Sequence, residues 1–172
     1  MDAVDAHSIL IVIVQNFAPA AAPIFARGSQ GAGLHEAVAS RRRALCREVD
    51  AERVVGTDLA GWLERNEIDT TVVAGYMTRN RDDSTVRQAV HMGLAAEFLI
   101  DATAACRTRT ARARRARRKS NRIFTVVMQS RFAAVLTTDD WIATLDSGEP
   151  PARDNARQHI CTSNQQARFG AR

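Results

Sequence analysis

Apolar and polar positions along this chain fall into blocks of two periods. Ile9 to Val14 (ILIVIV) is an unbroken apolar run of mostly β-branched residues, the pattern of a strand buried on both faces of a parallel sheet. Thr70–Ala74 (TTVVA) and Ala96–Ile100 read as further strands, and Ala134–Leu136 as a short one. Between them the spacing becomes helical. Leu59, Trp62 and Leu63 form a stripe behind a cap at Thr57 or Asp58, and Asn66 ends that helix. Ser84 is expected to cap a helix through Val86, Ala89, Val90 and Met92, stopped by Gly93. Ile123, Val126, Val127 and Ser130 mark the stripe of a helix over 123–132. Thr138 is expected to cap a last one, ended by Gly148 and Pro150.

Strands that alternate with helices predict an α/β class with a mainly parallel sheet and right-handed crossovers. The strands near 9–14, 70–74 and 96–100 are expected in that sheet, with helices near 58–66 and 84–92. Ligands of such sheets bind beyond the carboxyl ends of the strands. The loop over residues 75–81 lies at that edge, while residues 18–34, rich in Ala, Gly and Pro, form an earlier loop. There are no internal repeats.

A length of 172 residues fits one domain, read here as residues 1–150 followed by a polar tail over 151–172. No run reaches the ~20 apolar residues of a membrane span, so no membrane partner is expected. The first residues carry acids where a secretory leader carries bases, which makes the cytoplasm the expected location. Cys46, Cys106 and Cys161 are odd in number and far apart, so they read as ordinary free thiols. Neither a metal nor a cofactor is expected. The net charge of +5 is unevenly placed: residues 107–122 hold nine basic residues and no acid, and the rest of the chain carries 15 basic against 19 acidic residues. The run over 107–119, the core of an atypical stretch over 104–120, is expected to be exposed. It would bind polyanions in a sequence-blind, salt-sensitive way, since no aromatic residue lies within it for base stacking.

The block from Thr57 to Asp101 carries the most specific signal. Gly75, Thr78, Thr85, Arg87 and Ala89 fall in register on G-x-x-T-x-x-C-x-x-x-T-x-R-x-A, and the block resembles the second half of an isochorismatase-like cysteine hydrolase. Pro23–His35 resembles the loop after that family's second strand, and Phe124–Pro150 its closing helix, strand and helix. Roughly two thirds of the chain is covered in this way. The resemblance implies a three-layer α/β/α, Rossmann-like fold. It also implies hydrolysis of small amides or an enol ether by a Cys, an Asp and a Lys. A thiol of pKa ~8.5 needs a base and a nearby cation to attack near neutral pH. Backbone N–H groups must also hold the oxyanion. By resemblance these donors are the amide of residue 81 and one near a cis peptide at Tyr76–Met77.

None of the three catalytic residues is found where the resemblance places it. Arg81 stands at the nucleophile position, and Arg79 where relatives often carry His. The Lys position falls near Glu48, in a stretch (41–53) that does not resemble the family, although Arg47 or Arg53 would supply charge there. For the Asp, two readings stay open. Val14–Asn16 (VQN) is the remnant of its motif, with Ile13 at the Asp, or Ile9–Val14 is the family's second strand and the first is missing. The short distance from Ile9 to the Pro23–His35 loop fits the second better. Arg81 is then either a new contact for a ligand in a vestigial pocket, such as a carboxylate, or a lost nucleophile facing solvent. Asp82 and Asp83, with Ser84, read as acids that favour a helix N-terminus rather than as a metal or acid/base pair. The chain as a whole reads as an inactive relative, or as a non-catalytic binding or oligomerisation module. The Arg- and Ala-rich stretches 41–53 and 104–120 have the pattern of a shifted reading frame in a GC-rich gene, which the nucleotide sequence would test.

Overall fold

The opening apolar run becomes a strand slightly later than its hydrophobicity places it. A computed structural model describes residues 2–40, 44–48, 59–104, 108–109, 114–115 and 117–153. The chain divides into two units, Met1–Ile68 and Asp69–Arg172.

In the first unit a short helix, α1 (Asp2–Ala6), precedes strand β1 (Val12–Asn16). Ile13 is buried, whereas Val14 and Leu10 are exposed, so the run is not buried on both faces as expected. The loop that follows folds back through a bridge between Ala18 and Ala26 and a 3-10 turn at Gln30–Ala32. Gln15 Nε2 donates to the Ala32 carbonyl at 2.8 Å and ties this loop to β1. Helix α2 (Glu36–Ala39) is capped by His35, whose Nδ1 accepts from the Ala37 N–H. Strand β2 (Ala44–Glu48), which the hydrophobic pattern does not announce, pairs in parallel with β1 and sets Glu48 opposite Asn16. Helix α3 (Leu59–Arg65) follows the Leu59–Trp62–Leu63 stripe, and Asn66 closes it by donating from Nδ2 to the Trp62 carbonyl at 2.8 Å. Its expected caps, Thr57 and Asp58, lie outside the described residues.

The second unit is built on strands β3 (Thr70–Tyr76), β4 (Ala95–Ala104) and β7 (Ala134–Leu136), all parallel, in the order β3-β4-β7. Helix α4 (Asp83–His91) connects β3 to β4. Strands β5 (Thr108–Arg109) and β6 (Arg114–Arg115) form a two-residue antiparallel ladder inside the basic segment, and helix α5 (Arg117–Arg131) leads from there to β7. Helix α6 (Thr138–Ser147) closes the unit. The class is α/β with a mainly parallel sheet, and β3 and β4 pair in parallel as their sequence predicts.

The core is a cluster of Val73, Val86, Ala96, Phe98, Met128 and Ala133, flanked by Val90, Phe124, Phe132 and Val135. Each helix contributes the face that its docking surface selects, and here the expectation for α5 is corrected. Phe124, Met128 and Phe132 face the core, while Ile123, Val126 and Val127, the expected stripe, are exposed. The two large aromatic side chains, spaced eight residues apart with Met128 between them, offer more surface for burial than three aliphatic ones.

Two helix starts also differ by a small step from expectation. Thr137, not Thr138, caps α6: its Oγ1 accepts from the Asp140 N–H at 3.2 Å, and the Asp140 carboxylate accepts in return from the Thr137 N–H. Thr138 instead donates its N–H and its hydroxyl to Asp101 Oδ1, both at 2.9 Å, which pins α6 to β4. Ser84 is exposed inside α4 and caps nothing, because the chain enters that helix through a wider turn.

The β3–β4 ladder shifts register once. Val73 pairs with Phe98, but Gly75 pairs with Thr103, so β4 carries additional residues between those two pairs. Below the shift the two strands contribute Val73, Ala96 and Phe98 to the core. Above it they form the rim from which the β3–α4 connection departs.

Candidate functional site

The β3–α4 connection holds most of the residues singled out by the sequence motif. β3 ends at Gly75 and Tyr76, and the Tyr76–Met77 peptide is cis. Gly75 has φ +151°, and a Cβ on it would lie 3.3 Å from Asp82 Oδ1. Backbone conformation and the close carboxylate both favour glycine here. Thr78–Asp82 then wind a π-helical turn that passes directly into α4. Such wide turns recur at functional sites because they re-aim side chains relative to an α-helix.

The turn draws two polar side chains inward. Thr78 is 2% exposed and Asp82 5% exposed. Thr78 Oγ1 and Asp82 Oδ2 are buried with no hydrogen-bond partner among the described residues. Loss of water around the carboxylate disfavours its charge, and burial pushes Asp82 up from 3.8 to about 6. Asp82 therefore does not serve the helix N-terminus as its sequence position suggested. Asp83 does serve it, in the first turn of α4, and its Oδ1 accepts from Arg87 Nε at 2.8 Å. The Arg87 guanidinium also lies over the Phe132 ring, 4.1 Å from its centre, so this motif arginine clamps α4 to the end of α5.

Arg81 sits in the same turn, half-buried, with its Nε shielded from solvent. It does not project freely into water, contrary to the simpler of the two sequence readings. A guanidinium stays protonated throughout the physiological range and has no lone pair with which to attack. Arg79 is the second residue of the turn, and its side chain lies outside the described residues. Glu48, at the expected lysine position, belongs to the other unit, at the carboxyl end of β2. Arg47 and Cys46 are in the same strand, and Arg53, Cys106 and Cys161 lie outside the described residues. Among the described residues no three His, Cys, Asp or Glu side chains gather as a metal site.

A second buried carboxylate, Glu97 on β4, is by contrast well supplied with partners. Trp141 Nε1 donates to its Oε2 at 2.8 Å, and Arg153 donates to the neighbouring Ala96 carbonyl at 3.3 Å. Burial raises the Glu97 pKa, while the Trp141 hydrogen bond and the Arg153 charge hold it back. This is a structural lock between β4 and α6.

The model of the isochorismatase domain matches residues 1–140. The chain belongs to the isochorismatase family. It is also similar to a solved Burkholderia xenovorans LB400 protein named for the isochorismatases, at 50% identity and a TM-score of 0.88, over 98% of this chain and 79% of that one. A cysteine hydrolase from Pseudomonas syringae pv. phaseolicola 1448A superimposes with a TM-score of 0.77 at 20% identity, covering 86% and 77% of the two chains. A pyrazinamidase/nicotinamidase from Streptococcus mutans UA159 does so with a TM-score of 0.64 at 17% identity, covering 78% and 80%. The last two likenesses concern the fold alone. No curated protein matches the chain. The comparisons thus account for the three-layer α/β/α class. The buried pair of Thr78 and Asp82 was not foreseen. Its one signal in the sequence was an Asp directly after the nucleophile position, which looked like half of an ordinary helix-start pair.

Proposed function

We propose that this isochorismatase-family hydrolase fold no longer performs cysteine-dependent hydrolysis. The observation that carries the reading is Arg81: the position that the motif gives to the nucleophile holds a half-buried guanidinium. By resemblance to the family, the ancestral reaction is hydrolysis of small amides or related C–N or C–O bonds. By the same resemblance the oxyanion loop would fall at Tyr76 and Met77 and the lysine near Glu48, while the aspartate position is either held by Ile13 or lost with the first strand.

The direct test is Arg81→Cys, assayed against a panel of small amides for turnover and for a burst of acyl-enzyme. The new thiol would stand at the entry of α4, where helix-terminal amides favour the thiolate. Base and cation would still be missing, and residues that act as one catalytic unit are strongly non-additive. We expect no turnover above the parent. Hydrolysis by the parent itself defeats the proposal, and clear turnover in the variant would mean that a base and a cation remain beside position 81.

A second reading is a non-catalytic binding module. It is favoured by the turn itself, which brings the Arg81 cation to the strand edge where α/β sheets hold ligands. A small carboxylate is the fitting probe, and titration calorimetry with acetate and benzoate against the parent and Arg81→Ala would separate this reading from plain loss. We assign the protein to the cytoplasm, without metal or cofactor, and propose homo-oligomers and sequence-blind polyanion binding through 107–119 as its remaining associations.

A further inference from the structure

The turn between β3 and α4 leaves one demand of the fold unmet. Thr78 and Asp82 are its first and last residues, and a turn closed by i→i+5 hydrogen bonds brings those two onto the same side. Thr78 is 2% exposed and Asp82 5%. Thr78 Oγ1 and Asp82 Oδ2 have no hydrogen-bond partner among the described residues. Gly75 stands against the other carboxylate oxygen, since a Cβ there would lie 3.3 Å from Oδ1. A buried hydroxyl and a buried carboxylate each destabilise the fold by their lost hydration unless a partner replaces it.

Among the described residues no cation of the protein is that partner. β3, α4, β4 and α5 all pack on the turn. Asp83 and Arg87 on α4 pair with each other, and on β4 Glu97 is held by Trp141 and Asp101 by Thr138. Tyr76 at the end of β3, His91 at the far end of α4, and Arg122 and Arg131 on α5 are exposed. Arg81, in the turn itself, makes contacts of its own. Loss of water is the single cause that displaces the Asp82 pKa, so no neighbouring charge offsets it.

We propose that Thr78 and Asp82 form a site for a small protonated amine, of the class of ammonium or methylammonium. Its N–H groups donate to Thr78 Oγ1 and Asp82 Oδ2 together, and its charge balances the carboxylate. Water would supply the hydrogen bonds but not the charge. A hard metal ion fits less well, because it takes about six oxygen ligands or more, and no three His, Cys, Asp or Glu side chains gather here among the described residues. The depth of both side chains restricts the ligand to one little larger than water. The site goes beyond either reading of Arg81 and does not depend on whether that residue holds an anion.

The test follows thermal unfolding of the full chain in ammonium or methylammonium chloride. Each is titrated up to about 0.2 M against tetramethylammonium chloride, which has the charge but no N–H donor, at equal ionic strength. Near pH 7 we expect the midpoint to rise by about 3–5 °C once ammonium reaches roughly ten times its dissociation constant. The cation binds the ionised carboxylate, whose pKa is about 6, so affinity should fall about tenfold between pH 7 and pH 5. Asp82→Asn should abolish the rise, and Thr78→Val should weaken binding about fivefold. A nuclear magnetic resonance titration of the parent should shift the amide signals of Gly75, Thr78 and Asp82 saturably, and it decides the matter should a variant not fold. Three outcomes overturn the proposal. One is a response to ammonium no larger than that to tetramethylammonium. Another is a response that persists in full in Asp82→Asn or Thr78→Val. The last is an equal response to potassium chloride, which would assign the site to a metal ion.

Discussion

Asp82→Asn should stabilise this protein at neutral pH, and the size of the gain follows from where the carboxylate sits. Asp82 is 5% exposed, its Oδ2 has no hydrogen-bond partner among the described residues, and its pKa moves from 3.8 to about 6. Below about pH 4 the group is protonated in the folded and the unfolded chain and costs nothing. Between about 4 and 6 the folded chain keeps a proton that the unfolded chain has released, so stability falls as pH rises. Above about 6 both are ionised, and the folded chain bears the full penalty. A displacement from 3.8 to about 6 corresponds to about 3 kcal/mol. The asparagine variant has no such slope. Urea unfolding followed by circular dichroism should find the two proteins alike near pH 4 and the variant more stable by up to about 3 kcal/mol near pH 7. Equal or lower stability of the variant at neutral pH would refute the reasoning, because it would mean that the ionised carboxylate has a donor or cation of its own.

Other consequences are simpler to state. Gly75→Ala should cost about 1–3 kcal/mol in thermal or urea unfolding, since φ +151° is poor for alanine and the new Cβ would stand 3.3 Å from Asp82 Oδ1. In an Asp82→Ala background part of that cost should vanish, and full persistence would assign it to the backbone alone. Trp141→Phe keeps most of the ring but removes the donor to Glu97, so it should cost about 1–3 kcal/mol at neutral pH and less in acid, where Glu97 is protonated. Thr137→Ala should lose about 1 kcal/mol through the cap of α6, measurable as a lower melting temperature. Conversion of Thr137 to Ser should restore most of it.

What the sequence reveals here, and what it hides, follows from the range of the forces involved. The strands at 70–76 and 95–104 are legible because each holds a short apolar run, Val72–Ala74 and Phe98–Ile100, between helical stretches. The turn at 75–82 is legible from spacing, since Gly75 and Thr78 mark it, but its pitch is not. One wider turn is enough to carry Asp82 from the helix start into the interior and to leave Ser84 outside. The outer and inner faces of α5 were exchanged because Val126, Val127 and Met128 are consecutive, so helical periodicity admits two stripes. Docking on β4 and β7 selects the one that buries Met128 with Phe124 and Phe132, and that choice is made far away in the chain. The cap of α6 lies one residue before the expected Thr138, and the sequence does carry its signal. Thr137 has an acid three positions on, Asp140, whereas Thr138 has Trp141. Strand β2 gives no hydrophobic signal, because its Cys46–Arg47–Glu48 half is polar, and its pairing with β1 is set by tertiary context.

The slip of register between β3 and β4 works as a joint between two levels of one sheet. Below it, Val73 against Phe98 fixes the stack that stabilises the fold; above it, Gly75 against Thr103 begins afresh with its own alignment. Disturbance at the upper level need not propagate downward, because the lower pairs do not depend on it for their alignment. A reaction centre mounted above such a joint can be eroded residue by residue while the scaffold beneath it still folds, so heredity can carry the architecture forward after selection on the chemistry has ceased. The same separation makes the rim a place to rebuild: new side chains at the exposed Tyr76 position could be screened for binding or turnover.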